Sequence, residues 1–171
     1  MPTRSYPFEL KQLSERGEFS GIASVYGITD LGNDSVEAGA FSKSISDKGP
    51  SRTLLWRHDA PIGTVTLSDS PSALLVKGKL TMGVQAAREA YELLKDGAVK
   101  GLSIGFESIR ERYDSSGIRH LLEIKLWEIS LVPFPMLEQA QVTQVKSQDA
   151  ARVRAALLEF KTEIFHAIER G

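Results

Sequence analysis

The chain has 171 residues and no cysteine. That absence excludes a thiol nucleophile, a thiolate zinc or iron–sulfur site, and a disulfide framework. Histidine is scarce: His58, His120 and His166 are the whole complement. None stands at the HExxH spacing of a catalytic zinc site. An excess of one charge is also missing, since 21 Lys and Arg face 22 Asp and Glu for a net charge of −1. General electrostatic attraction to nucleic acid or an anionic membrane is therefore not expected. No apolar run approaches the roughly 18 residues of a membrane span, and the opening MPTRSYPFELKQL lacks the apolar stretch of a leader. Glycines form neither GxGxxG nor a phosphate loop, so nucleotide binding has no support. The expectation is a protein of a reducing intracellular compartment, with no cofactor, no metal, no nucleic-acid partner and no membrane partner.

What is present is an ordinary globular composition, 42% hydrophobic and 25% charged, in a chain long enough to bury a core without a staple. Phe19–Tyr26 reads as a strand, followed by turn chemistry at Asp30, Gly32, Asn33 and Asp34. Phe41 and Ile45, four apart, predict a short helix over 40–47, stopped by Gly49-Pro50. Three strands follow, over 53–58, 62–67 and 73–80, the first two separated by a bend at Asp59-Ala60-Pro61. Val84, Ala87, Tyr91 and Leu94 recur at helical spacing, with Thr81 as a cap and Asp96-Gly97 as the end. Alternation over 101–109 and 121–132, around a polar link with the turn signal Asp114-Ser115-Ser116-Gly117, predicts a long hairpin. Pro133 and Pro135 end its second strand. From Asp149 to Arg170 an apolar stripe of Val153, Leu157, Phe160, Ile164 and Ile168 predicts an amphipathic terminal helix. Strands with inserted helices predict a mostly β, α+β fold: a closed β-barrel with peripheral helices.

Three residues stand out chemically. Alternation puts Ser103 between Gly101 and Gly105 on one strand face, where no side chain of its own strand screens the hydroxyl. It reads either as an accessible nucleophile that a substrate backbone can approach, or as a small polar residue on a solvated face. The letters G-x-S-x-G occur here, but the strand, sharp turn and helix of a hydrolase elbow do not. His58, at a strand end before Asp59, is either a general base or an amphipathic residue at a barrel rim. Glu128 shares parity with Leu122, Ile124, Leu126, Ser130 and Val132, so a carboxylate interrupts an apolar stripe. It must be protonated, be partnered by a histidine or arginine, or reach water at a barrel end beside Arg57 or Arg112. His120 is a reserve base or third member.

Four stretches together resemble the prohead proteases of tailed bacteriophages with HK97-type capsids: Gly21–Phe41; Leu54-Leu55-Trp56-Arg57-His58-Asp59 with Pro61-Ile62-Gly63; Gly101–Phe106; and Leu126-Trp127-Glu128-Ile129-Ser130-Leu131-Val132. The family is similar in turn to the herpesvirus maturation proteases, β-barrels wrapped by helices. The resemblance implies His58 as general base, Ser103 as nucleophile and Glu128 as the third member. It also implies a serine endopeptidase with no cofactor, acting on the phage major capsid protein or a scaffold segment inside the assembling prohead in the host bacterial cytoplasm. A homo-oligomer, and self-cleavage near Lys146-Ser147, are further expectations. The expected organisation is a lead-in over 1–18, a protease barrel over 19–146 and a helical tail over 147–171. Three rivals remain open. One is a non-enzymatic capsid-assembly module acting through its terminal helix. The others are an OB-like single-strand binder stacking bases on Trp56, Phe106 and Trp127, and a small-ester hydrolase.

Overall fold

The computed structural model describes residues 17–145; residues 1–16 of the expected lead-in, the Lys146-Ser147 site, His166 and the expected terminal helix lie outside them. Within that span the element order is β1 (Glu18–Val25), β2 (Asp34–Val36), α1 (Ser42–Lys48), β3 (Ser51–Trp56), β4 (Ala60–Asp69), β5 (Ala73–Leu80), α2 (Gln85–Lys95), β6 (Gly101–Tyr113), β7 (Arg119–Val132) and β8 (Val142–Val145). The strands form one strongly curled sheet in the order β2-β7-β3-β4-β5-β1-β8, with β6 on the other side of β7. β7 is its hub. β6 runs antiparallel along nearly its whole length, while β2 and β3 pair parallel with its first and last parts.

The expectation of a closed barrel is corrected: the sheet is a half-barrel and stays open. Where β6 curls toward β8, Gly101 meets Gln141, the residue before β8, in an isolated bridge rather than a ladder. Leu102 N–H donates to the Ala140 carbonyl and Val142 N–H to the Lys100 carbonyl, both alongside that bridge. Pro133 and Pro135 lie in the link that brings the chain from β7 back to this edge. Their missing N–H groups prevent β7 from continuing.

The curl gathers Leu54, Ile62, Leu74, Leu80, Leu102, Leu121, Ile124, Leu126, Ile129 and Leu131 into one fully buried inner face, with Phe41 inserted beside them. Each such side chain contributes roughly 1.5–3 kcal/mol by leaving water. α1 buries Phe41 just before its first turn and Ser44 within it. The polar Ser44 is inside because its Oγ accepts from the Leu126 N–H at 3.0 Å and is itself reached by the Arg52 guanidinium at 3.1 Å. α2 packs mainly on β4 and buries Ala87, Ala90 and Leu94, at intervals of three and four. Thr81 is not its cap; Val84 holds that position with no side-chain hydrogen bond.

Two local features were not anticipated, and both position the site. The β3–β4 turn comes earlier than the Asp59-Ala60-Pro61 bend. Trp56 pairs with Ala60, and within the four-residue turn Trp56–Asp59, closed by the Asp59 N–H on the Trp56 carbonyl, Arg57 and His58 occupy the two central positions with φ of 54° and 63°. Both left-handed, they have the φ signs of a type I′ hairpin turn, which ordinarily takes Asn-Gly. The second feature is an irregularity in the β6–β7 ladder between Gly105 and Phe106. Gly105 pairs with Glu128 but Phe106 with Leu126, leaving Trp127 unopposed. The extra residue switches faces: Ile124 and Leu126 point into the core before it, Ile129 and Leu131 after it.

Candidate active site

The switch at Trp127 overturns the parity argument for Glu128. No apolar stripe is interrupted there. Past the bulge the inward positions are odd-numbered, and Glu128 and Ser130 share the outer face of the curl with Ser103 and Gly105, their cross-strand partners. The parallel pairing of β3 with β7, Thr53 opposite Glu128 and Trp56 opposite Leu131, delivers the Arg57-His58 turn over the same spot.

Here three side chains form a line. His58 Nε2 lies 3.0 Å from Ser103 Oγ, and His58 Nδ1 lies 2.6 Å from Glu128 Oε1. Both distances are within hydrogen-bonding reach. The imidazole is 44% exposed and the Glu128 side chain 13% exposed, so the ring sits at the surface and its carboxylate partner beneath it. Neither Arg57 nor Arg112 is the partner of Glu128. Its second oxygen, Oε2, accepts from the Ser130 hydroxyl at 2.8 Å.

The left-handed turn costs roughly 1–2 kcal/mol for each non-glycine residue. Three backbone donors tether it. Arg57 N–H donates to the Leu131 carbonyl and Asp59 N–H to the Trp56 carbonyl, both at 3.0 Å. His58 N–H donates to Ser130 Oγ, also at 3.0 Å. Nothing in Arg-His advertises such a turn; register and tethers impose it.

The two glycines flanking Ser103 do something other than admit a substrate backbone. A Cβ at Gly105 would stand 2.1 Å from Glu128 Oε1, and one at Gly101 would stand 2.6 Å from the Val132 carbonyl and 2.7 Å from Pro135 Cδ. The space is already filled by the chain's own groups, and Gly105 is what lets the carboxylate lie flat against β6 beside the serine.

His120, the reserve candidate, is elsewhere. It is the second residue of β7, eight residues and roughly 26 Å of strand before Glu128. Its Nδ1 meets Glu37 Oε1 at 2.6 Å and its Nε2 meets Asp114 Oδ2 at 3.1 Å. Those carboxylates, Glu37 first, raise its pKa, and Asp114 is correspondingly held below the usual carboxylate range, chiefly by His120. Beside the Leu102–Phe106 part of β6, a cavity of about 160 Å³ is lined by Ile28, Val36, Ile104, Phe106, Met136 and Leu137 among others. Ser103 itself is part of the lining, alongside Ile104 and Phe106, which pack against the core. Sequence reasoning missed Ser130, whose only signal is a hydroxyl at a wholly buried strand position, and Arg52. The Arg52 guanidinium is buried and, among the described residues, bonds neutral acceptors: the carbonyls of Leu126, Gly49, Ser51 and Ser44, and the Ser44 hydroxyl.

Comparison with known proteins agrees with the resemblance drawn from the motifs. A profile of the family described as Caudovirus prohead serine protease matches residues 6–154. The chain belongs to that family. It is 30% identical over 141 residues to the prohead protease of Enterobacteria phage HK97, an alignment covering 79% of this chain and 63% of that protein. It is 35% identical over 113 residues to the capsid polyprotein of Pseudomonas phage PAJU2, covering 60% of this chain and 17% of the polyprotein. The chain thus spans less than two thirds of the length of either relative. No solved structure matches it. Among the described residues, no helix is long and apolar enough to cross a membrane, and no group of three or more acidic or histidine side chains is placed to hold a metal ion.

Proposed function

We infer that this prohead protease family member is a serine endopeptidase that cleaves the capsid protein or its scaffold segment inside the assembling prohead, in the host bacterial cytoplasm. The observation that carries this reading is the hydrogen-bonded line Ser103–His58–Glu128 on an open outer face. His58 Nε2 faces a neutral hydroxyl, so in the Nδ1–H tautomer its lone pair can take the Ser103 proton. The Ser103 oxygen then adds to the peptide carbonyl, and the new imidazolium hands its proton to the leaving amine. Glu128 accepts from Nδ1–H throughout, which fixes that tautomer and favours the positive ring as it forms. Water repeats the cycle on the acyl-enzyme. Backbone N–H groups meeting the oxyanion would each contribute about 3 kcal/mol.

The open face favours an extended polypeptide over a small ester, which an enclosed pocket would suit better. The family description and the two relatives, a prohead protease and a capsid polyprotein, support the capsid protein as substrate. Self-cleavage near Lys146-Ser147 belongs to the same reading. The test is incubation of purified chain with full-length capsid precursor. Wild type yields discrete fragments and loses mass near residue 146, and Ser103→Ala does neither while melting like the wild type. An Ser103→Ala variant that still cleaves, or a wild type that only co-assembles with precursor, favours the non-enzymatic assembly module instead.

A further inference from the structure

One hydroxyl in this network has no part in the chemistry just described. Ser130 is 0% exposed, two residues beyond Glu128 on the same face of β7 and directly opposite Ser103. A fully buried strand position ordinarily takes Val, Ile or Leu. Here both hydrogen-bonding capacities of the hydroxyl are used, donating to Glu128 Oε2 at 2.8 Å and accepting from the His58 N–H at 3.0 Å. Its two partners are the third member and the backbone of the base. Resting on the endopeptidase reading, we propose that Ser130 is a positioning residue that locks the carboxylate plane of Glu128 and the left-handed turn of His58 to each other.

The physical case has two halves. A carboxylate held at one oxygen rotates about its last torsion, and the sp³–sp² well is broad. Holding the second oxygen fixes the plane, so that Oε1 remains in line with His58 Nδ1. The turn, for its part, carries two residues in a disfavoured φ region and relaxes if its N–H groups find no fixed acceptors. The Ser130 oxygen supplies the acceptor for the residue whose ring must reach Ser103. Removing it leaves a mostly buried carboxylate oxygen without its hydroxyl donor and a backbone donor without its acceptor at the same moment.

The experiment uses the purified chain as wild type, Ser130→Ala, Ser130→Thr and Ser103→Ala. Cleavage of the capsid precursor is normalised to active sites titrated with a fluorophosphonate, and the His58 Nδ1 proton is followed by NMR after ¹⁵N-histidine labelling. Losing a hydrogen bond to a charged group predicts a fall in kcat of roughly 10- to 100-fold per titrated site, with KM little changed. Ser130→Thr, which keeps the hydroxyl, recovers most of it. The imidazole proton moves upfield in Ser130→Ala and stays in place in Ser103→Ala. A merely structural serine would lower the number of titrated sites and the melting temperature but not kcat per site or that proton. Ser130→Ala with wild-type kcat per site and an unmoved proton overturns the proposal, as does a folded Thr variant as slow as Ala. A wild type that neither cleaves nor is labelled fails the endopeptidase reading itself, which is a separate result.

Discussion

Two histidines on this sheet are gripped in nearly the same way and differ in one partner. His58 and His120 each place Nδ1 2.6 Å from a glutamate oxygen, Glu128 and Glu37 respectively. On the other nitrogen, His58 meets the Ser103 hydroxyl at 3.0 Å and His120 meets the Asp114 carboxylate at 3.1 Å. A second carboxylate favours a proton on Nε2 and raises the ring's pKa, so the ring ties the turn end of the β6–β7 hairpin to the segment after β2. A hydroxyl demands nothing and leaves Nε2 free to accept. One atom's charge separates a clamp from a candidate base.

Removing the hydroxyl is the severest way to break this contrast. Ser103→Ala should lower capsid-precursor cleavage by at least roughly 10⁴-fold, read as fragment yield against time. Next comes Glu128→Gln, which keeps the shape but favours the wrong tautomer of His58. It should cost roughly 10³- to 10⁴-fold in kcat while fluorophosphonate labelling slows in parallel.

The clamp should answer to pH instead. Because His120 has a raised pKa in the folded state, its contribution is fully present below its unfolded value of about 6.5 and is lost as pH rises through the folded value. Asp114, lowered, contributes above its unfolded value of about 4 and loses that contribution on acidification. The melting-temperature gap between wild type and His120→Gln should therefore be widest near pH 5–6 and shrink toward pH 9. Cleavage per titrated site should stay within about twofold, since well-separated sites act independently. A His120→Gln variant that folds but does not cleave would erase the distinction between the two histidines. The smallest effect concerns the strained turn: Arg57→Asn, better suited to φ near +54°, should stabilise the fold by about 0.5–1 kcal/mol in denaturant unfolding.

Much of this arrangement can be read along the chain. The strand runs around Leu54, Val65 and Leu74 alternate as they should, and the Asp114–Gly117 turn joins β6 to β7 where its residues predict. Ser103 and Glu107 fall opposite Ile104 and Phe106 as period-two alternation requires. The place of Glu128 is a different matter. Its parity with Leu126 suggested a buried charge, yet a bulge at Trp127 had moved it to the outer face. Such a bulge leaves almost no local signal, since its stabilisation comes from afar. Arg52 on β3 donates to the Leu126 carbonyl at 3.0 Å, and Ser44 on α1 accepts from the Leu126 N–H at 3.0 Å. Equally, the His58 turn is held by Leu131 and Ser130, more than 70 positions away.

By itself the chain's residue order determined which chemistry is possible and where the elements lie: no thiol, no HExxH site, a serine between two glycines, and strands in a fixed succession. Those follow from composition and from local φ preferences, which each residue carries with it. The tertiary structure alone decided that the sheet stays open, that β3 pairs parallel with β7 at Thr53–Glu128, and that imidazole, hydroxyl and carboxylate share one face. Register, curl and bulges are settled by summed burial and hydrogen bonding between distant segments. Those sums can hold two left-handed residues in a turn that their own preferences would refuse.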